Sequence, residues 1–332
     1  MIRVGVIGYG YWGPVVARNF SGAEDCQLVA VCDKNPAALE RAKKAFPGIV
    51  VSTEPSEVLQ SSAIDAVAVI TPVWTHFEFA KAALQNGKNV FVEKPFTASA
   101  AEASELIDLA AARKLRIMVD HTFLFTGAVR KIRQLIDQGV LGRLYYYDSS
   151  RVNLGLFQHD VNVIWDLAPH DLAIMNYLID AEPLSVSATG QCHLNGLEDM
   201  AYLTVYFPAM LAHINVNWLS PVKVRTTLIG GEKKMVMWND LEADEKVRVY
   251  DKGVDITSGQ GVYDLLVSYR SGDMWVPKVD QTEALKLEAK YFVECLEKNQ
   301  APFNDGLAGL RVVRLLEAAA ESLKHRGRPV DL

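Results

Sequence analysis

The turn GYGYWG constrains the fold of this chain more than any other stretch. An apolar run at residues 2–7 precedes it, and an apolar pattern with helical spacing follows at residues 15–20. Gly8, Gly10 and Gly13 have the G-x-G-x-x-G spacing, in which glycines permit a tight strand-to-helix turn. The sequence therefore begins with a predicted β-strand, a glycine-rich turn and an α-helix in succession.

A carboxylate follows the second predicted strand at the distance that a dinucleotide-binding unit requires. The run QLVAVC at residues 27–32 ends at Asp33, about twenty residues beyond Gly13. Glycines let a pyrophosphate approach the backbone, the helix N-terminus stabilises its charge, and the acid accepts hydrogen bonds from the ribose. Asp33 would repel the 2′-phosphate of NADP, which favours NAD, although Lys34 weakens this preference. Tyr11 and Trp12 either lie against the cofactor or close the helix onto the sheet.

Strand and helix patterns continue to alternate, which predicts a doubly wound parallel sheet over residues 1–121. Residues that follow its strands lie at one edge of such a sheet, where ligands bind. Five of these residues are candidate cofactor contacts: Thr71, Pro72, His76, Glu93 and Lys94. For His76 there is a second interpretation, a solvated histidine in the first turn of a helix.

Lys94 is the candidate for proton chemistry, because it follows a buried strand and precedes Pro95. A hydride leaves a carbinol carbon only if its hydroxyl loses a proton, and a nearby group must hold that proton. A lysine has a pKa of about 10.4, which partial burial and a neighbouring positive charge lower. Glu93 either orients Lys94 or contacts the nicotinamide amide, and Pro95 fixes the backbone so that Lys94 points inward.

The second half of the chain contains a further acid–base pair. Asp166 and His170 are four residues apart in WDLAPHD and share a face if the segment is helical. Pro169 is tolerated in a first turn, so we expect the helix to begin near Asp166. A helix N-terminus would favour the neutral form of the His170 imidazole, which can accept a proton. The alternative is a helix cap beside a surface histidine.

The motifs GYGYWG, VCD, TPVWTH, EKP and WDLAPHD resemble the Gfo/Idh/MocA oxidoreductase family over nearly the whole chain. The resemblance implies an N-terminal Rossmann domain and a C-terminal α/β domain, residues 122–332, with a large open, mainly antiparallel sheet. It also implies NAD(P)-dependent oxidation or reduction of sugars, inositols and related polyols. The lysine of the family's EKP motif matches Lys94, and its second-domain acid and histidine match Asp166 and His170. Family members differ in whether the lysine or the histidine is the base.

Within that family, GYGYWGP, RVNLG and WDLAPHD most resemble the branch that acts on C3 of nucleotide-linked sugars such as UDP-N-acetylglucosaminuronate. A diphosphate needs cations and hydrogen-bond donors, so Arg151 and Asn153 are candidate substrate ligands. Arg151 is otherwise a sheet-edge arginine paired with an acid. The alternative functions are a dehydrogenase of free sugars or inositols and a non-catalytic NAD-sensing regulator.

Alternation in LAHINVNWLS predicts a strand with one packed face and one more polar face, and His213 on the polar face is interpreted as non-catalytic. The family uses the open face of this sheet to form homodimers or homotetramers. Residues 261–280 are interpreted as a long connection that closes over substrate or reaches a neighbouring subunit. The C-terminal helices are expected to pack back on the first domain.

Composition excludes several other classes of protein. The net charge of -6 argues against a nucleic-acid partner. No apolar run is long enough for a membrane span, and no secretion signal is visible. The four cysteines lack metal-type spacing and are typical of buried thiols in the cytoplasm, so no metal site is expected.

Overall fold

The structure is a computed structural model that describes residues 1–155, 159–256 and 267–332. The chain divides into two compact units. The first comprises Met1–Phe125 and Thr282–Glu317, and the second comprises Thr126–Gln281 and Ala318–Leu332. The first unit is therefore assembled from two stretches that are far apart in sequence.

A six-stranded parallel sheet forms the centre of the first unit. Its strands are β1 (Ile2–Ile7), β2 (Cys26–Cys32), β3 (Val50–Ser52), β4 (Ala66–Val69), β5 (Asn89–Glu93) and β6 (Ile117–Asp120). Their spatial order is β3-β2-β1-β4-β5-β6. Every side chain of β4 is buried, as expected for a strand covered on both faces. The predicted doubly wound fold is confirmed, and the strand order reverses between β1 and β4, where such sheets bind ligands.

The helices begin where the sequence provides starting signals. In chain order they are α1 (Gly13–Ser21), α2 (Pro36–Ala45), α3 (Pro55–Leu59), α4 (His76–Gln85), α5 (Ala100–Arg113), α6 (Gly127–Asp137), α7 (Val163–Leu178), α8 (Ala284–Glu297) and α9 (Gly306–Lys324). Asn35 caps α2 by accepting a hydrogen bond from the Ala37 N–H, and Ser99 caps α5 in the same way. Thr75 precedes α4 without capping it, since its hydroxyl lies within hydrogen-bond distance of the Thr71 hydroxyl and the Pro72 carbonyl instead.

An aromatic cluster joins the two stretches of the first unit. Phe20 on α1, Phe91 on β5 and Phe292 on α8 meet edge to face, with ring centroids 5.3 to 6.0 Å apart. All three side chains are buried. Edge-to-face pairs contribute about 0.5–1.5 kcal/mol each beyond the area they bury. Helix α8, although it lies late in the sequence, is thus part of the core of the first unit.

A nine-stranded sheet forms the second unit. Its strands are β7 (Leu144–Val152), β8 (Ser185–Gln191), β9 (Met200–Tyr206), β10 (Leu211–Asn217), β11 (Val224–Gly231), β12 (Met235–Asn239), β13 (Val247–Ile256), β14 (Val267–Trp275) and β15 (Val330–Asp331). Their order is β14-β13-β12-β11-β7-β10-β9-β8-β15. Neighbours are antiparallel except β7 and β10, which are parallel. The predicted mixed, mainly antiparallel sheet is confirmed.

The two faces of this sheet differ in burial. On β10, Ala212, Ile214 and Val216 are fully buried, and α7 packs on this face. The opposite face, here called the open face, carries Tyr146, Tyr202, Leu211 and His213. The first three of these side chains are 39, 40 and 47% exposed. The alternation predicted for LAHINVN is therefore present.

The prediction of a long connection at residues 261–280 is wrong for part of that range. Residues Val267–Trp275 form β14, which pairs with β13 in antiparallel register. Residues 261–266 lie outside the described residues. The error arose because this stretch mixes aromatic and charged residues, without the regular alternation that indicates a half-buried strand.

No helix among the described residues combines the length and hydropathy of a membrane span. The four cysteines carry free thiols, of which Cys32 and Cys295 are buried. Cys26 and Cys192 are only partly buried, unlike the uniformly buried thiols that the sequence suggested. Burial raises the pKa of the Cys32 thiol to about 11, so this thiol is unreactive at neutral pH.

Candidate active site

The glycine-rich turn leaves its backbone open at one position and closely packed at two. Gly8 has a φ of +97°, and a Cβ there would lie 2.1 Å from the Ile70 carbonyl oxygen. A Cβ on Gly13 would lie 2.2 Å from the Gly8 carbonyl oxygen. A Cβ on Gly10 would meet nothing within 4 Å. Gly8 and Gly13 are therefore needed by the fold, and Gly10 leaves an open surface where the sequence predicts that a pyrophosphate binds.

Asp33 lies at the end of β2 and holds the glycine-rich turn. Its Oδ2 accepts a hydrogen bond from the Tyr9 N–H at 2.6 Å, and its Oδ1 accepts from the Asn35 N–H at 2.8 Å. Each carboxylate oxygen has a second lone pair. The group can therefore accept hydrogen bonds from ribose hydroxyls while it keeps the turn in place.

Of the two aromatics, only Tyr11 departs from the interpretation that they close the helix onto the sheet. The Tyr11 side chain is 91% exposed and does not pack on α1. The Trp12 indole Nε1–H donates to Oδ2 of Asp120 at 3.0 Å. Trp12 is thus attached to the end of β6, and contact of either aromatic ring with the cofactor stays a prediction.

The ends of β4, β5 and β6 bring several polar residues to the edge of the sheet beside the turn. Thr71 and Pro72 follow β4, and the Thr71 hydroxyl accepts from Thr75 at 2.7 Å. Glu93 ends β5, and Lys94 follows it; both side chains are partly buried. The structure thus places Lys94 at the edge that the sequence predicted.

His76 does not behave as either sequence interpretation proposed. It is 1% exposed, so it is not a solvated surface histidine. Its Nδ1 lies 2.9 Å from the Pro95 carbonyl oxygen and its Nε2 lies 2.7 Å from the Thr71 carbonyl oxygen. Both ring nitrogens thus face carbonyl oxygens of the protein, the neutral ring donating to one of them, and the prediction that His76 contacts the cofactor is wrong. Its ring instead ties the segments after β4 and β5 together, and burial lowers its pKa.

His121 and Glu288 are buried titratable groups of the first unit that the sequence interpretation missed. Burial is the main cause that lowers the pKa of His121 to about 4; Asp120 acts in the opposite direction and Lys94 in the same direction as burial. Burial raises the pKa of Glu288 well above its usual range, and the charge of Asp120 acts in the same direction. His121 and Asp120 could have been found from the rule that used Lys94, since they also follow a buried strand. No local signal distinguishes Glu288 from the other acids of α8.

In the second unit, Asp166 and His170 share a face of α7, but the helix begins earlier than expected. It starts at Val163, where the Asn162 side chain accepts from the Trp165 N–H. Pro169 therefore lies inside the helix and not in its first turn. The proline was taken as a starting signal, whereas the asparagine cap determines where the helix begins.

Because α7 begins at Val163, His170 does not lie at a helix N-terminus, as the sequence had suggested. The charge of a helix N-terminus falls off within the first turn, and His170 lies seven residues beyond Val163. The helix N-terminus therefore does not set the protonation state of this imidazole. Asp166 lies closer to the start, and its Oδ2 accepts from the Trp218 indole Nε1–H at 3.0 Å. Trp218, which the sequence interpretation did not single out, thus orients the acid of the pair.

Arg151 is not placed to clamp a substrate. It is 3% exposed and forms an ion pair with Asp171 on α7, with Nε and Oδ2 2.5 Å apart. Because β7 alternates, Arg151 shares the packed face with Tyr147 and Ser149. The prediction that Arg151 clamps a substrate phosphate is therefore wrong. The alternative, a sheet-edge arginine paired with an acid, is right about the ion pair with an acid but wrong about the position, since β7 is a central strand.

Asn153 lies near the acid–histidine pair. Its backbone N–H donates to the Asn217 carbonyl at 3.0 Å, at the end where Trp218 follows β10. Its side chain is partly exposed. Asn153 thus remains a candidate substrate ligand. In the described ranges, no three or more His, Cys, Asp or Glu side chains are grouped so that they could hold a metal ion.

Comparisons with known proteins give a consistent result for both units. A family described as oxidoreductase family, NAD-binding Rossmann fold, matches residues 2–121. A second, the GFO/IDH/MocA C-terminal domain, matches residues 129–237. The first match agrees with the open Gly10 surface and the position of Asp33, so the first unit is an NAD-binding Rossmann fold.

Similar proteins match along most of the chain. UDP-N-acetylglucosamine 3-dehydrogenase of Acidithiobacillus ferrooxidans is 29% identical over 94% of this chain and 94% of its own length. The NAD(+)-dependent scyllo-inositol 2-dehydrogenase of Bacillus subtilis is 26% identical over 100% of this chain and 96% of its own. The solved structure of the Acidithiobacillus enzyme covers 98% of both chains with a TM-score of 0.83 and 24% identity, which shows the shared fold.

Proposed function

Since the chain belongs to the Gfo/Idh/MocA oxidoreductase family, we propose that it is an NAD-dependent dehydrogenase acting on a secondary hydroxyl of a sugar. The preferred position is C3 of a nucleotide-linked sugar, a UDP-N-acetylhexosamine or the corresponding uronate. The observation that carries the proposal is Lys94, a partly buried amine at the same sheet edge as the glycine-rich turn. An amine there is positioned for proton exchange with a hydroxyl bound beside the nicotinamide.

The proposed chemistry divides the work between the cofactor and the protein. NAD, when bound, accepts the hydride from the carbinol carbon. Lys94 and His170 share the proton, one accepting it from the hydroxyl and the other holding the hydroxyl by a hydrogen bond. Asp166, oriented by Trp218, supports His170 from the preceding turn of α7. In the reverse reaction the same groups return the proton to the ketone oxygen.

The nucleotide-sugar assignment is supported by the similarity to the 3-dehydrogenase, which extends over 94% of both chains. Arg151 does not support this assignment as a phosphate clamp, because its guanidinium forms an ion pair with Asp171. That loss, with the similarity to an inositol dehydrogenase, favours a free sugar or inositol as the second candidate. The regulator alternative is weaker, because the chain retains both Lys94 and His170.

Substrate selection can be tested by NADH production from a matched set of compounds. We expect UDP-N-acetylglucosamine or its uronate to give the highest kcat/KM with NAD, and myo-inositol, scyllo-inositol and glucose to give much lower values. Turnover of an inositol with none of either UDP-sugar would overturn the nucleotide-sugar assignment and keep the dehydrogenase. Binding of NAD without turnover of any compound in the set would favour the regulator.

We further propose that the protein is a cytoplasmic homodimer or homotetramer that associates through the open face. Three large side chains, Tyr146, Tyr202 and Leu211, are substantially exposed there. Light scattering coupled to size exclusion should give two or four chains per particle, and Leu211→Lys should lower that number. A monomeric wild-type protein at micromolar concentration would contradict the proposal.

A further inference from the structure

Two carboxyl groups are in contact within the core of the first unit. Glu288 on α8 is 0% exposed and Asp120 at the end of β6 is 1% exposed. Their side chains are close enough to interact, and Thr122 lies near the pair. Glu93, at the end of β5, adds a third acidic side chain near Glu288. Two buried carboxylates in contact would repel each other strongly, so one of them must carry a proton.

The donors around the pair indicate which group is neutral. Asp120 accepts from Trp12 Nε1–H through Oδ2 and from the Thr122 hydroxyl through Oδ1. Glu288 Oε1 accepts from Asn304 Nδ2–H at 3.2 Å. Glu288 Oε2 is buried and has no donor in the part of the chain that the structure describes. A proton on Glu288 completes the arrangement, because the neutral acid can then donate a hydrogen bond to Asp120.

We propose that Glu288 is a positioning residue for cofactor binding, which as the neutral acid donates a hydrogen bond to Asp120 and thereby holds Trp12 in the glycine-rich turn. Trp12 directly precedes α1. The hydrogen bond from its indole N–H to Asp120 connects the end of the glycine-rich turn to strand β6. The proposal rests on NAD binding at the turn and does not depend on the identity of the sugar.

The remaining titratable groups near the pair are Glu93, Lys94 and His121. Burial lowers the pKa of His121 to about 4, so this imidazole is neutral at pH 7. Lys94 is close enough to His121 to affect it electrostatically. When pH rises far enough to ionise Glu288, a second negative charge contacts Asp120 and the donor to Asp120 is lost. NAD affinity should then fall, because Asp120 and Trp12 lose their fixed arrangement.

The test measures the Kd of NAD by calorimetry, without sugar, between pH 6.5 and 9.5. The Glu288→Gln amide can donate to Asp120 but cannot ionise, so this variant should match the wild type within about twofold at pH 7. Its Kd should stay flat as pH rises, while the wild-type Kd increases by about tenfold, the effect of one hydrogen bond to a charged group. Glu294→Gln on the exposed side of α8 is the matched control and should follow the wild type.

Two further variants separate positioning from packing. Glu288→Leu, which cannot donate, should weaken NAD binding by about tenfold at every pH. The Trp12→Phe variant lacks the indole donor to Asp120. Adding Glu288→Leu to it should change the Kd of NAD little further, since both substitutions disrupt the same chain of contacts from Glu288 through Asp120 to Trp12. Loss of NAD binding in Glu288→Gln at pH 7, or an alkaline loss in that variant equal to the wild type's, would overturn the proposal. The comparison of Glu288→Gln with wild type decides the question even if Glu288→Leu fails to fold.

Discussion

At the residue scale, the candidate chemistry depends on a few side chains whose surroundings differ in each case. Lys94 is partly buried at the end of β5, whereas His76, only one helical turn beyond β4, is enclosed between two carbonyl groups. The indole of Trp218 orients Asp166, and Arg151 forms a buried ion pair with Asp171. From residue type alone, all four side chains are candidate functional groups. Their burial and hydrogen bonds distinguish Lys94 and Asp166, which stay candidates, from His76 and Arg151, which do not.

Replacing the two proposed proton-handling groups should lower turnover while leaving NAD bound. Lys94→Ala and His170→Ala should each reduce kcat by about 10²–10⁴-fold, the usual contribution of a positioned acid or base. The Kd of NAD should change by less than about threefold, because the glycine-rich turn and Asp33 remain intact. Steady-state kinetics on the identified substrate, with NAD titrations, measures both quantities.

Exposed residues of the same types provide the controls for those variants. Lys44→Ala on α2 and His325→Ala after α9 should leave kcat and Kd unchanged. If Lys94→Ala and His170→Ala retained wild-type turnover, the assignment of proton chemistry to them would be wrong.

At the scale of elements, the glycine-rich turn and the strand ends could be predicted because their signals are local. Glycine spacing, apolar runs and an acid about twenty residues later all lie within one βαβ segment. The start of α7 was missed because an asparagine cap competed with a proline as the starting signal. The fate of Arg151 was missed because strand alternation gives two faces without saying which one is packed.

The contacts of Glu288 are an example of structure that no local sequence pattern indicates. Its partners Asp120 and Asn304 come from β6 and from the segment after α8, and Asp120 lies more than 160 residues earlier in the chain. Such pairs follow from tertiary packing, so a single sequence does not reveal them.

Two alanine substitutions within the glycine-rich turn should have opposite effects. Gly13→Ala places a Cβ 2.2 Å from the Gly8 carbonyl oxygen, so the turn must shift and stability should fall by about 1–3 kcal/mol. Gly10→Ala meets no atom within 4 Å, so stability should stay within about 0.5 kcal/mol of wild type while NAD affinity drops. Denaturant unfolding and NAD titration measure the pair. Unchanged NAD affinity in Gly10→Ala would contradict the assignment of the Gly10 surface to the cofactor.

At the scale of the whole molecule, buried histidines make stability depend on pH. The folded pKa of His121 is about 4, below its ordinary value, so the unfolded chain binds a proton more readily below about pH 6.5. The stability it contributes is present above about pH 6.5 and is lost as pH falls toward 4. Glu288 acts in the opposite direction, since its raised pKa makes the folded state lose stability as pH rises above about 4.5.

Comparing variants isolates the effect of His121 from those other groups. Between pH 7.5 and 5, the wild type should lose about 2 kcal/mol more unfolding free energy than His121→Gln. The control His325→Gln alters a histidine with a 58% exposed side chain and should keep the wild-type pH dependence. Denaturant midpoints at the two pH values give the difference, and parallel curves for wild type and His121→Gln would contradict the burial of a neutral imidazole.

The Phe20, Phe91 and Phe292 cluster has a consequence for how the protein is made. Two of its rings are synthesised within the first 91 residues, but the third arrives about 200 residues later. On a ribosome, the nascent NAD-binding unit must therefore keep apolar surface uncovered while strands β7 to β14 of the second sheet are translated. A chain built this way cannot complete its folding in order from the N-terminus, and its early part is a natural substrate for chaperones during synthesis.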